Sequence, residues 1–246
     1  MALTLLTHNV FWFQGTGFKG ADPCGPDLEA LEALAAVHRE AGADLICLQE
    51  VQSEQCFSRY ARAVDRDGFY CAGYAYRPYG GAILFHEGHF VTQVAASPYT
   101  AERFWMKAEL AGGAWDGLVV ANVHLPSGRQ SGAGAAAAAR LAELRGMLAS
   151  GPRPSIVCGD FNERPDGPAH ALMEAEGYRD AALLAGIGAM GTGTFDAGKR
   201  IDYVWLDTER AQRLKSCEVL PRERLARDGA PGHYFSDHLP VRVRLE

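Results

Sequence analysis

The chain has 246 residues, 48% hydrophobic and 22% charged, the proportions of a folded globular protein. A formal net charge of -6 and a pI near 5.8 exclude the global basic field on which tight non-specific duplex binding rests. No apolar run reaches membrane-spanning length, no basic-then-apolar leader opens the chain, and six cysteines form no C-x-x-C pair. That cysteine usage argues against a thiolate zinc site and for a reducing, cytoplasmic setting.

Leu3 to Val10 is apolar and β-prone and reads as a strand, with Asn9 near its end. A glycine-punctuated loop leads to Pro26-Asp27, residues that suit the first turn of a helix. Leu28, Leu31, Leu34 and Val37 then recur at helical spacing. The next run, Asp44-Leu45-Ile46-Cys47-Leu48-Gln49-Glu50, reads as a buried strand closed by a carboxylate. Strand, helix and strand in succession predict a layered α/β arrangement.

Ser53 to Arg66 reads as a helix with Ser53 at its cap. Strands are expected at 69–76, 81–85, 90–96, 103–110 and 118–122, the later ones with no helix between them and therefore antiparallel. His86, Glu87 and His89 fall in a turn, where exposed polar residues outweigh a metal site. Tyr76 and Arg77, a phenol beside a fixed cation, suit an anionic substrate. His124 lies at a strand end. An alanine-rich helix over 135–150 presents Leu141, Leu144 and Leu148. It delivers the chain to Ser155-Ile156-Val157-Cys158-Gly159-Asp160-Phe161-Asn162, a buried strand whose glycine permits a turn or a close approach. A helix is expected near 169–176. The glycine-rich stretch 186–198 lacks the G-K-[ST] of a phosphate loop and reads as a surface loop. Asp202 opens a strand, Asp237-His238 precede another, and Val241 to Leu245 alternate as a half-exposed last strand.

Strand ends thus offer Asn9, Glu50, His124, Asp160, Asn162, Asp202, Asp237 and His238. Carboxylate and carboxamide oxygens suit Mg²⁺ or Mn²⁺ better than zinc. Paired His and Asp suit proton handling and stabilisation of phosphate charge.

The segments Thr7-His8-Asn9-Val10, Leu48-Gln49-Glu50, Gly81-Ala82-Ile83-Leu84, Val123-His124-Leu125, Gly159-Asp160-Phe161-Asn162, Arg200-Ile201-Asp202-Tyr203-Val204 and Ser236-Asp237-His238 resemble, in order, the signature of the endonuclease/exonuclease/phosphatase superfamily, the deoxyribonuclease-I-like fold. The resemblance implies a four-layered α/β sandwich, two packed mixed β-sheets flanked by helices, in a single domain over 1–246. It implies a divalent-metal-dependent phosphodiester hydrolase acting on nucleic-acid strands or termini. Glu50, Asn9 and Asp237 would hold Mg²⁺, with Mn²⁺ as an alternative. Asp160 would orient and deprotonate water, Asn162 would contact the phosphate, His124 would contact the phosphate or assist the leaving group, and His238, held by Asp202, would stabilise the phosphate or transition state. Where the family often carries Ser-Arg or Ser-Lys after its Gly-x-Ala-Ile-Leu strand, this chain has Phe85-His86-Glu87. His124-Leu125-Pro126-Ser127, followed by Arg140, is similar to the branch that removes adducts from DNA ends. A phosphomonoesterase or phospholipid-type phosphodiesterase is the alternative within enzymes, and a non-catalytic binding module the alternative outside them. Loops 13–25, 126–134, 186–198 and 222–234 are expected to rim the site.

Overall fold

The computed structural model describes residues 2–20, 23–86, 90–98, 101–188, 193–195 and 198–246. In the first half the elements are β1 (Leu3–Asn9), α1 (Leu28–Ala41), β2 (Leu45–Val51), α2 (Glu54–Val64), β3 (Asp67–Cys71), β4 (Gly80–Phe85), β5 (Phe90–Ala96) and β6 (Phe104–Ala111). The second half holds β7 (Val119–His124), α3 (Gly128–Ser131), α4 (Ala133–Ala149), β8 (Ile156–Asp160), α5 (Pro168–Ala175), β9 (Arg179–Asp180), α6 (Ala181–Leu184), β10 (Asp202–Leu206), α7 (Thr208–Gln212), β11 (Leu214–Val219) and β12 (Val241–Leu245). They form two six-stranded mixed sheets, ordered β11-β12-β1-β2-β4-β3 and β5-β6-β7-β8-β10-β9.

Each sheet is built around one parallel pair joined through a helix. In the first, β1 and β2 run parallel across α1; in the second, β7 and β8 run parallel across α4. The remaining neighbours pair antiparallel. A parallel crossover returns the chain in the same direction, so all four central strands end where their functional residues stand.

Both faces of these strands are covered, which is why their sequences alternate imperfectly. Leu3, Leu5, Leu45 and Cys47 pack inward against Val120, Ile156, Cys158 and Val204 of the facing sheet. Leu6, Ile46 and Leu48 point the other way, onto Leu31, Leu34 and Tyr60 of α1 and α2. Val123, Val157 and Trp205 cover Leu144, Met147 and Met173 of α4 and α5. The layers are therefore helix, sheet, sheet, helix. Among the described residues no helix is long and apolar enough to cross a membrane.

Several local expectations need correction. Leu28 is exposed, because Asp27 caps α1 through bonds to the Glu29 and Ala30 amides and the buried face runs instead through Ala30, Leu31, Leu34 and Val37. The strand expected over 69–76 stops at Cys71; a side chain at Gly73 would collide with the Tyr76 carbonyl, so the chain turns tightly there. In α4 the buried stripe is Ala136, Arg140, Leu144 and Met147; Leu148 packs half-buried at its edge, and Leu141 is not part of it. Gly159 does not break β8. It adopts φ 132°, and a Cβ there would lie 2.0 Å from the Val123 carbonyl oxygen of β7, so glycine serves close approach within the sheet. Elements β9, α6, α7 and β11 have no counterpart in the sequence reading. His86 is exposed after β4, and Glu87 and His89 lie outside the described residues.

Between the sheets, just beneath the functional end, lies a buried polar bridge. The Gln49 amide donates to Thr7 Oγ1 at 3.0 Å and to Asn122 Oδ1 at 2.7 Å. Asn122 in turn donates to the Leu48 and Ala82 carbonyls, both at 2.9 Å. Such a network favours one sheet-to-sheet register, and breaking it strands donors and acceptors away from water. Replacing Asn122 by Leu is expected to lower stability by about 2–4 kcal/mol, read as an earlier urea midpoint with an unchanged slope. A loss below about 0.5 kcal/mol, the scale of an inconsequential surface change, would show that the bridge adds nothing.

Candidate active site

The topology gathers the polar strand ends. Asn9 closes β1, His124 closes β7 and Asp160 closes β8, all with the parity of the inward-facing core residues. Asp202 opens β10 directly opposite Asp160, because β10 and β8 are antiparallel and in register at that pair. Asp237 and His238 stand just before β12, separated from it by Leu239 and Pro240, and its first residue Val241 pairs with Thr7 of β1. Glu50 follows Gln49, which already points inward, so strict alternation would send it outward. A register shift between Gln49 and Val51, with Glu50 at φ 58°, turns it toward the others. The bulge, absent from any pattern of apolar residues, is what makes Glu50 a site residue.

Asp160 is held at both oxygens. Its Oδ1 accepts from the Asn162 amide at 2.8 Å and its Oδ2 from Asn9 Nδ2 at 3.1 Å. Asn162 sits at φ 49° and anchors its own side chain on the Leu125 carbonyl at 3.0 Å. His238 Nδ1 meets Asp202 Oδ2 at 2.9 Å, leaving Nε2 at 3.8 Å from Asp160 Oδ2. Burial works against the imidazolium, but Asp202, Asp160 and Asp237 together raise His238 to about 10. Burial raises Asp202 to about 6 against the opposing pull of His238. Near neutrality the pair is therefore ionised, imidazolium against carboxylate.

A chain of neutral histidines holds His238 from behind. Its carbonyl can only accept, so His8 Nε2 donates to it at 3.1 Å. His8 Nδ1 then accepts from His38 Nε2 at 2.9 Å, and His38 Nδ1 accepts from the Tyr60 hydroxyl. Burial drives both rings to the neutral form, His38 down to about 3 and His8 well below the usual imidazole range. The Ser236 hydroxyl ties the same segment to the Asn9 carbonyl at 2.7 Å.

These groups open onto a cleft of about 350 Å³. Of the predicted residues, Glu50, Asp160, Asn162, Asp237 and His238 line it. Asn9 and Asp202 stand one layer behind, holding Asp160 and His238. His124 is fully buried beneath Arg103, which donates to its Nε2, and lies 3.4 Å from Asp160 Oδ2. Burial first, then Arg103 and His238, push it far below the usual imidazole range, so it is neutral and supports rather than lines the cleft. Tyr76 and Arg77 are not brought into the cleft. Their place is taken by Tyr79, whose ring carries the Arg103 guanidinium at 4.3 Å. Arg140, too, stays outside: it binds Glu163 at 3.0 Å and the Pro126 carbonyl at 2.9 Å, fixing the loop that precedes α4.

Sequence reading also missed Arg103, Thr194 and Phe195. Arg103 reaches the site because Phe104 pairs with His124, a register no local pattern reveals. Thr194 Oγ1 accepts from the Ile201 and Asp202 amides at 3.1 Å, and the Phe195 ring lies 4.9 Å from that of His238. Of the expected rim loops, 126–134 and 186–198 supply lining residues. Segments 13–25 and 222–234 pack on one another instead, through Thr16 and Tyr234. A larger groove of about 780 Å³, between residues 23–26 and α2, holds none of the predicted residues.

Two buried carboxylate oxygens in the cleft walls, Glu50 Oε2 and Asp237 Oδ1, have no hydrogen-bond partner among the described residues. Burial raises the Glu50 carboxyl to about 7 despite Arg103, and raises that of Asp237. Orphaned acidic oxygens of this kind fit a hard cation. Donor atoms of Asp160, Asp202 and His238 also lie within 4.8 Å of one another. Both groups, that set and the Glu50–Asp237 pair, offer oxygens of the chemistry that suits a divalent cation.

The sequence profile of the Endonuclease/Exonuclease/phosphatase family matches residues 6–238. No curated protein matches the chain in sequence. Among solved structures, D. rerio TDP2 complexed with single strand DNA product superposes with a TM-score of 0.71 at 17% identity, covering 100% of this chain and 99% of that one. An endonuclease/exonuclease/phosphatase family protein from Bacteroides thetaiotaomicron gives 0.70 at 17% identity over 100% and 97%. The human Nocturnin catalytic domain with bound sulfate anion gives 0.67 at 18% identity over 100% and 93%. At such identities the structures speak to the fold, whereas the profile spans nearly the whole chain and takes in every strand end that builds the cleft. The chain belongs to the endonuclease/exonuclease/phosphatase family.

Proposed function

We propose that this protein is a divalent-metal-dependent phosphodiester hydrolase acting on nucleic-acid strands or their ends. The observation that carries the reading is the meeting, in one cleft, of two orphaned buried carboxylate oxygens with a fixed carboxylate and an imidazolium. Glu50 and Asp237 would hold Mg²⁺ or Mn²⁺, while Asn9, expected from the sequence as a third ligand, has its amide engaged with the Phe11 backbone and Asp160; the ion would supply Lewis-acid stabilisation of phosphate charge. Asp160 accepts the proton of the attacking water. Asn9 and Asn162 fix its orientation and keep both its oxygens supplied with donors. His238 donates from Nε2 to the phosphate, its charge maintained by Asp202. Arg103, stacked on Tyr79 and bonded to Ser127 Oγ at 2.8 Å, adds a fixed cation beside Glu50, 3.9 Å from its Oε1. Further cations, Arg129, Arg164 and Lys199, line the same cleft and suit a substrate with phosphates flanking the scissile one. The bound single strand DNA product of D. rerio TDP2 supports a nucleic-acid substrate for this shared fold.

The test is hydrolysis of bis-p-nitrophenyl phosphate, p-nitrophenyl phosphate and single-stranded DNA in Mg²⁺, Mn²⁺ or EDTA. Diester and DNA cleavage abolished by EDTA is expected. Cleavage of the monoester alone would replace this reading with a phosphatase, and diester turnover undiminished by EDTA would remove the metal.

Metal binding has a second, activity-independent readout. A Glu50 carboxyl raised from 4.5 to about 7 takes a proton more readily in the fold than in the unfolded chain. The metal-free protein therefore loses stability as pH rises through that interval, and a bound cation restores it. At ten times Kd, Mg²⁺ should stabilise by about 1.4 kcal/mol, or about 3–5 °C in Tm, with a larger shift at pH 8 than at pH 6. Glu50→Gln should abolish the shift while raising the metal-free Tm at pH 8. An unchanged Mg²⁺ shift in Glu50→Gln would take Glu50 out of the metal site.

A further inference from the structure

Immediately after Asn9 the chain makes a turn for which the hydrolytic chemistry gives no reason. Phe11, Trp12 and Phe13 all take positive φ, at 46°, 54° and 54°. Bulky side chains rarely adopt that region once, because Cβ crowds the backbone, and three successive aromatic residues there are a strained arrangement. Strain of this sort persists only where the surroundings over-determine it, and it gathers at functional sites. Here the surroundings do over-determine it. Phe13 is fully buried against Tyr60, at 5.1 Å between rings. Gln52 donates to the Trp12 carbonyl at 3.1 Å, and the Asp27 amide to the Phe13 carbonyl at 2.9 Å. The Phe11 amide donates to Asn9 Oδ1 at 3.0 Å.

The turn sets an aromatic wall in the active cleft. Phe11 and Trp12 both line the cleft, as does Tyr79. Phe11 stacks on Trp12 with centroids 5.3 Å apart and planes 25° apart, and Trp12 meets Tyr79 edge-on at 5.1 Å. Trp12 is 6% exposed and serves as backing, whereas Phe11 is half-buried and accessible. Cations share the cleft: Arg103, Arg129, Arg164 and Lys199, of which the last three form no ion pair among the described residues. An aromatic surface beside unpaired cations complements a ligand that alternates flat rings with phosphates. Asn9 joins the two halves of the site, since one end of its amide holds the Phe11 backbone and the other holds Asp160.

We infer that the Phe11–Trp12–Phe13 turn is a base-stacking element, on which the nucleobase next to the scissile phosphate rests against Phe11. This rests on the nucleic-acid reading above and adds to it a site for the base. Every base has a π-face, so the element confers preference for a base-bearing strand over a bare sugar-phosphate chain rather than for one sequence.

Fluorescence anisotropy with short labelled single strands tests it, with Ca²⁺ replacing Mg²⁺ to slow cleavage. One probe is an oligothymidylate; the other is an abasic strand with the same number of phosphates. The wild-type protein should bind the thymidylate tighter by roughly 5- to 150-fold, the range that stacking of one base spans. Phe11→Ala should remove most of that preference, Phe11→Leu should do the same while keeping apolar bulk, and Phe11→Trp should retain it. Leu and Trp both preserve packing, so a difference between them reads the aromatic face and not the fold. Equal binding of the two strands by the wild type would overturn the stacking element and leave the nucleic-acid reading standing. So would an equal loss for both strands in Phe11→Leu. Failure to bind either strand at millimolar protein would overturn both.

Discussion

Asp160→Asn lowers kcat on a phosphodiester by on the order of 10³-fold, the share that a positioned general base contributes, with the fold retained. Both oxygens of this cleft carboxylate are already oriented by donors, Asn162 N–H on one and Asn9 Nδ2 on the other. An asparagine keeps the shape but has a single acceptor oxygen, so one of those donors faces an amide N–H₂. It also cannot take a proton from water. The local mismatch costs about 1–3 kcal/mol, offset in part because a buried negative charge beside Glu50 and Asp202 is removed. Single-turnover kinetics with near-UV circular dichroism separate the two effects. A folded variant turning over within about tenfold of wild type would show that Asp160 is not the base.

How far such residues were legible in the sequence follows from where their information lies. Asn9, His124 and Asp160 are polar residues closing apolar runs, a local signal, and the parallel crossovers carry them to one end. Asp202 and His238 were equally visible, and the pairing of β10 with β8 and of β12 with β1 does the rest. Glu50 was found for a partly wrong physical reason: a strand end alone would have pointed it outward, and the bulge corrects it. Tyr76 and Arg77 illustrate the opposite failure. They look like substrate contacts in composition, but the turn closing on Gly73 keeps them out of the cleft and brings Tyr79 in. Arg103, Thr194 and Phe195 depend on strand register and on backbone pairing between distant segments. Short polar elements such as α7 and β11 carry too little apolar periodicity to be read.

The second large effect belongs to a residue that touches no substrate. Asp202→Asn is expected to cut kcat/KM at pH 8 by roughly 10²- to 10⁴-fold, the range for removing a positioned acid–base partner, and to move the alkaline limit of activity. In the wild-type protein Asp202, with Asp160 and Asp237, outweighs burial and keeps His238 protonated up to about 10. Without the Asp202 charge and hydrogen bond, the two largest influences that raise it, the imidazole pKa is expected to fall well below its wild-type level. The sign follows from that difference. A His238 pKa raised in the fold contributes stability fully present below about 6.5 and lost as pH rises toward 10. In stability the variant therefore differs from wild type most at low pH, where that contribution is whole; in activity it resembles wild type most closely at low pH, where the ring carries its proton in both, and falls behind as pH rises through neutrality. NMR titration of the His238 ring in metal-free protein reads the shift directly, free of any assay. A His238 that stays protonated at pH 8 in Asp202→Asn would show that Asp160 and Asp237 suffice, and Asp202 would then be a packing residue. A ring that loses its proton together with the activity would place the charge of His238, and not merely its position, in the rate.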